Sequence, residues 1–206
     1  MDIKEFFRRE DIQAALSNND LDYVYDENRD EPQIMTKFLL SAGIDPIDYI
    51  TTIFEAMYEN VSIVSVDIPQ VITNIERYGF AWCKDLVEIN IPDTVVWIGK
   101  GAFEHFIGLE NIVLPHGIDT VQQGTFRYCY NLKEVTISPG VVVIEEDAFR
   151  ECKNLKKVII PNTLKELHCD AFYLTNNYIK VVYDGVEYDT LQDFERAFIK
   201  NGGKVL

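Results

Sequence analysis

The sequence predicts an α+β solenoid of 23-residue repeats, closed by a helical N-terminal cap and a C-terminal hairpin and helix. Three observations carry this prediction. Phe80, Phe103, Phe126, Phe149 and Phe172 recur at a spacing of 23. A fixed period of roughly 20–50 residues marks units that cannot bury their own apolar faces and stack into one long core. Further apolar columns keep the same period, and the period disappears at both ends of the chain.

Residues 1–60 lack the repeat and read as short helices. Ile3, Phe6, Phe7, Ile12, Ala15 and Leu16 approach a helical stripe, and Asn18-Asn19 punctuates it. Asp20 caps a short helix through Tyr25. Asp30-Glu31-Pro32 opens another that Gly43 ends, and Asp45-Pro46 starts a last one toward Met57. Such helices suit a cap over the first coil, which would otherwise expose its core and a strand edge.

Residues 61–185 form the solenoid, about five units. Five residues before each Phe stand Ile75, Ile98, Val121, Ile144 and Leu167. Six after it come Leu86, Leu109, Leu132, Leu155 and Tyr178. Ile89, Ile112, Val135, Val158 and Val181 follow, then Ile91, Leu114, Ile137, Ile160 and Tyr183. Prolines close three units at Pro92, Pro115 and Pro161, whereas Ser138 takes that place in the unit of Phe126. Residues 186–206 close the far end. Lys180–Tyr188 alternates around Asp184-Gly185, a hairpin signal, and Thr190–Lys200 reads as a helix that Gly202-Gly203 stops.

The units Gly101-Ala102-Phe103 and Asp147-Ala148-Phe149, with Cys152, Asn154-Leu155, Val158 and Ile160-Pro161, resemble the BspA-like (Treponema-type) leucine-rich repeat over about residues 62–185. The resemblance implies a right-handed solenoid of leucine-rich repeats with one short strand at L-x-x-V-x-I and a second extended segment per repeat. It also implies protein recognition or adhesion. Many such proteins are secreted to the cell surface, but the charged Met1–Arg9 has no apolar core of a secretory signal, and no run approaches the ~18 apolar residues of a membrane span. The expectation is a cytoplasmic monomer with no membrane association.

Cys83, Cys129 and Cys152 share a column with Phe106, which marks a packing position and favours reduced core thiols over a disulfide. His105, His116 and His168 add no zinc-like spacing, and Asp26–Asp30 lacks the glycine and closing glutamate of a calcium loop, so no metal or cofactor is expected. No P-loop, G-x-S-x-G, H-E-x-x-H or dinucleotide fingerprint occurs, and an enzyme is not expected.

Candidate contact residues lie on the expected surface. Residues flanking the strand valine point away from the core. They give one column of Glu88, Asn111, Glu134, Lys157 and Lys180, and a second of Asn90, Val113, Thr136, Ile159 and Val182. The first runs from acidic to basic. The second is apolar beyond need, although β-branched residues favour strands anyway. Trp82, His105 and Tyr128 form one aromatic column, Tyr130 lies close by, and Trp97 stands in a column otherwise filled by Thr120, Val143 and Glu166. Trp and Tyr are common binding anchors.

The net charge is −15, and residues 1–60 carry 14 acidic and 5 basic residues. Asp20, Asp22, Asp26, Glu27, Asp30 and Glu31 make an acidic patch that either aids solubility or steers a basic partner. Direct nucleic-acid binding is not expected, because phosphate contact needs basic patches. Three functions fit: a non-catalytic protein-binding module using the strand face and aromatic patch; an acidic inhibitor or decoy of a nucleic-acid-binding host-defence protein, of the kind a phage or mobile element encodes; and an adhesin fragment. Salt separates the first two, since a charge-driven decoy releases its partner as ionic strength rises.

Overall fold

The structure, a computed structural model, describes residues 52–53, 64–68, 70, 72–176 and 178–206. The helices expected over residues 1–51, and the acidic patch Asp20, Asp22, Asp26, Glu27, Asp30 and Glu31, lie outside the described residues. Each 23-residue coil contributes two short strands, and the coils stack as a solenoid.

In chain order the strands are β1 (Thr52–Ile53), β2 (Ser65–Asp67), β3 (Asn74–Ile75), β4 (Glu88–Asn90), β5 (Trp97–Ile98), β6 (Asn111–Val113) and β7 (Thr120–Val121). They continue as β8 (Glu134–Thr136), β9 (Val143–Ile144), β10 (Lys157–Ile160), β11 (Glu166–Leu167), β12 (Lys180–Tyr183) and β13 (Val186–Tyr188). Helix α1 (Leu191–Lys200) and strand β14 (Lys204–Val205) follow. One row holds β2–β4 and then β6–β8–β10–β12–β13; the other holds β1–β3–β5 and then β7–β9–β11–β14. Partners such as Ile112, Val135, Val158 and Val181 pair in parallel at the 23-residue register, because each coil repeats the same path.

The phenylalanines make the spine of the core. Phe80, Phe103, Phe126, Phe149 and Phe172 stack with centroids 5.7, 5.3, 5.4 and 5.0 Å apart and nearly parallel planes. Each buried ring contributes about 1.5–3 kcal/mol by leaving water. Cys83, Phe106, Cys129 and Cys152 are fully buried beside them. Cys129 Sγ donates to Phe103 O at 3.1 Å and Cys152 Sγ to Phe126 O at 3.0 Å, and burial pushes the Cys152 thiol up, with Cys129 adding to the effect. Cys129, Cys152 and Cys169 are thiols outside any disulfide. Ser138, where other units have proline, is buried and its hydroxyl donates to Leu114 O.

One boundary differs from the expectation. Thr52 and Ile53, assigned above to a capping helix running toward Met57, form strand β1, which pairs in parallel with β3. The solenoid therefore begins before residue 61. The pairing joins Ile53 to Ile75, a spacing of 22, and this one-residue slip hides the unit from a count at 23.

The far end follows the expected hairpin and helix. Asp184 (φ 49°) and Gly185 (φ 75°) both take the left-handed conformation of a tight hairpin turn between β12 and β13. Thr190 caps α1, its side chain accepting from Asp193 N at 3.2 Å. Phe194 and Phe198 are fully buried against Tyr183. Beyond Gly202-Gly203 the chain does not simply stop: β14 joins β11 and ends the second strand row.

Candidate functional site

The aromatic column is built on strained backbone. Trp82, His105, Tyr128, Glu151 and Leu174, each two residues after a core phenylalanine, all have φ between 57° and 63°. Left-handed backbone costs an L-residue about 1–2 kcal/mol. The coil supports it through the hydrogen bonds Trp82 N to Glu104 O, His105 N to Arg127 O and Tyr128 N to Arg150 O, all 2.8–2.9 Å. The column carries no glycine, so nothing in the sequence marks this turn as left-handed.

The consequence is a ladder of rings. Trp82 stacks on His105 with centroids 3.8 Å apart, and His105 on Tyr128 at 4.5 Å. Tyr130 meets His105 edge-on at 6.4 Å and tilts against Tyr128 at 6.1 Å. Cations border the ladder: Arg127 lies 5.1 Å from the Tyr128 ring centre and Lys153 5.5 Å from that of Tyr130. Trp82 is exposed, whereas His105, Tyr128 and Tyr130 are only half-buried because the rings cover one another. They are less open than a surface column suggests, and they form one ridge with its edges to solvent.

Beneath the ladder lies a buried charge. Glu104 is buried and takes both Arg127 Nη2 (2.8 Å) and Nε (3.2 Å) on Oε1. His105 Nε2 is 3.9 Å from the same oxygen. Burial lowers the His105 pKa and outweighs the raising effect of Glu104, while Arg127 lowers it further. The ring therefore favours its neutral, stacking form.

Trp97 is exposed but stands apart. It lies on β5 in the second strand row, opposite Asn74, and no ring contact among the described residues joins it to the ladder. Its column is part of the second strand row, eight residues before the ladder column in each coil, so the structure places Trp97 on a strand and Trp82, His105 and Tyr128 on the turns.

The first strand row presents the expected columns. Glu88, Asn111, Val113 and Lys180 are exposed, and Glu134, Lys157 and Ile159 are half-buried. The charge gradient is partly neutralised, since Lys157 Nζ lies 3.0 Å from Glu134 and Lys133 Nζ 2.6 Å from Glu110. A feature absent from the sequence reading appears at β4 and β6. Both strand rows lose their ladder at this coil, β4 from β6 and β5 from β7, while the turn hydrogen bonds and the phenylalanine stack continue. Ile89 is left half-buried, unlike its counterparts Ile112, Val135 and Val158. A groove of about 930 Å³ opens here, lined by Val87, Ile89, Val113, Asp67, Glu88 and Glu110 among others. The coils are pinched nearby: a Cβ on Gly108 would sit 2.1 Å from Leu86 O, and one on Gly117 2.4 Å from Val95 O. Gly108 was the available signal, since Asp85, Asn131 and Asn154 fill its column in other units.

His168 and Cys169 are adjacent in the sequence and stand together on a turn of the fifth coil. One ligating atom each from His168, Cys169 and Asp170 lie within 4.8 Å of one another. Among the described residues no helix is long and apolar enough to cross a membrane.

Comparison with known proteins agrees with this architecture. A model of the BspA type leucine rich repeat region matches residues 51–179 in six copies. Its start agrees with β1 rather than with a boundary at residue 61. Among solved structures, the Treponema pallidum leucine rich repeat protein is 26% identical with a TM-score of 0.59, over 77% of this chain and 79% of that one. A leucine rich cell surface protein of Faecalibacterium prausnitzii is 28% identical with a TM-score of 0.59, and the pneumococcal vaccine antigen PcpA is 25% identical with a TM-score of 0.58. Each of these two alignments covers 66% of this chain, but only 35% and 37% of the other, so the chain spans about a third of their length. No curated protein matches the chain. Six matched copies over most of the chain, with the strand rows and phenylalanine spine that they require, make it a member of the BspA-type leucine-rich repeat family.

Proposed function

We propose that this chain is a non-catalytic protein-binding module whose contact surface joins the ring ladder to the first strand row. Leucine-rich repeat proteins generally mediate protein–protein interaction or adhesion. The observation that carries the finer reading is the stack of Trp82, His105 and Tyr128 on left-handed backbone repeated coil after coil. Strain of this kind persists where the surrounding structure holds it, and it clusters at functional sites. Plates fixed by stacking lose little conformational entropy on binding, as suits aromatic anchors. The strand face adds Val113, Ile159 and the open groove at Ile89.

In this reading the protein acts as a monomer in the cytoplasm. The cap at β14 and the buried thiols of Cys129 and Cys152 are compatible with that. The second reading is adhesion, favoured by the likeness to a cell surface protein and a vaccine antigen. Affinity capture at low and high salt, with Trp82→Ala/Tyr128→Ala and Val113→Asp/Ile159→Asp variants beside the parent, tests the proposal. A partner held at high salt and lost by both variants supports it. Binding that salt abolishes while both variants retain it points to charge-driven capture and contradicts it. Binding to intact cells or matrix proteins, with none from lysate, selects adhesion.

A further inference from the structure

We propose that the turn His168-Cys169-Asp170 is a binding site for a thiophilic divalent cation of the zinc class. Imidazole, thiol and carboxyl groups converge there with ligating atoms within 4.8 Å of one another. Earlier coils hold Glu145-Glu146-Asp147 and Gln122-Gln123-Gly124 at these positions, so the fifth coil keeps the aspartate and brings in an imidazole and a thiol beside it.

The turn is rigid on both sides. His168 N donates to Ile144 O of the preceding coil, and Cys169 N to Leu206 O of the closing strand segment, each at 2.9 Å. Asp170 N donates to His168 Nδ1 at 3.2 Å, which orients the ring. Ala171 N returns to His168 O at 3.0 Å. A site on fixed backbone needs only side-chain rotation to reach the roughly 2.0–2.3 Å bonds of zinc.

The surroundings carry more acid than base: three glutamates stand against Lys100 and Lys204. His168, though neither Cys169 nor Asp170, lines a hollow of about 340 Å³ with Glu145, Glu146 and Glu166 and one cation, Lys100. Gln123 orients two of these carboxylates: its backbone N–H donates to Glu145 Oε2 at 2.8 Å and its side-chain amide to Glu146 Oε2 at 3.2 Å. Glu166 pairs with Lys204 at 3.2 Å. A thiolate and the Asp170 carboxylate balance a 2+ ion, and the thiol proton leaves to buffer on binding. Thiolate and imidazole select zinc-class ions over calcium or magnesium, which take oxygen ligands. Three protein ligands leave a coordination position for water or for a carboxylate of the hollow.

The test is titration of the reduced full-length chain with Co²⁺ alone, then Zn²⁺ alone. One equivalent of Co²⁺ with a thiolate-to-cobalt charge-transfer band, displaced by Zn²⁺, is expected. Cys169→Ser abolishes the band, and His168→Ala and Asp170→Asn each weaken binding by at least about 10-fold, since losing even an outer-shell partner costs about 10–100-fold. His116→Ala, at a distant exposed histidine, leaves the titration unchanged. The thermal midpoint rises with Zn²⁺ in the parent and not in Cys169→Ser. No band in the folded parent, or a band that survives Cys169→Ser, overturns the proposal.

Discussion

At the scale of single residues, the core phenylalanines and His105 make opposite demands. Phe126 is fully buried between Phe103 and Phe149, so Phe126→Ala removes a ring from the middle of the spine. The expected loss is about 3–5 kcal/mol in urea unfolding. His105 is held neutral, chiefly by burial. Its folded pKa is therefore below its unfolded value of about 6.5. The unfolded chain binds the proton more readily, so the neutral-ring contribution is complete above that value and is lost as pH falls through the folded pKa. Thermal midpoints measured from about pH 7 to about pH 5 should fall more steeply in the parent than in His105→Phe. Equal slopes would show that His105 titrates freely. The sequence displayed the aromatic column at these positions, but not its stacking, because no glycine betrays a left-handed turn filled by Trp, His and Tyr.

At the scale of elements, legibility followed chemistry. The Asp184-Gly185 turn, the Thr190 cap and the phenylalanine spacing are local or periodic signals, and the hairpin, α1 and the strand rows stand where those signals put them. Strand β1 was hidden by its 22-residue register, and β14 by its two-residue length. The separation of β4 from β6 shows only in the coil-to-coil pairing, and Gly108, the one glycine of its column, is the nearest mark of it in the sequence. Two substitutions test these elements. Thr190→Ala removes the oxygen that accepts from Asp193 N and should cost about 1 kcal/mol, read by denaturant unfolding. Gly117→Ala forces a Cβ against Val95 O and should cost about 1–3 kcal/mol, as overpacking does. A neutral Gly117→Ala would mean that the coils separate there without penalty.

At the scale of the whole molecule, the solenoid turns a repeated sequence into two different surfaces. Identical backbone positions recur at each coil, so side chains 23 residues apart become neighbours, and a column of rings becomes a ridge. Ion pairs such as Lys157–Glu134 reduce the charge contrast along the first strand row. Partner binding by this face should accordingly be only weakly screened by salt. Trp97, on the other strand row, serves as an internal control: Trp97→Ala should leave the affinity of the ladder face unchanged. Paired capture at low and high salt with the parent, Trp82→Ala/Tyr128→Ala and Trp97→Ala, each first shown to be folded by circular dichroism, separates the ring ladder from the rest of the surface. A stoichiometric partner retained at high salt by the parent and Trp97→Ala, but lost by Trp82→Ala/Tyr128→Ala, is the expected result. The same partner captured equally by all three proteins would contradict the assignment of the ring ladder as the contact surface.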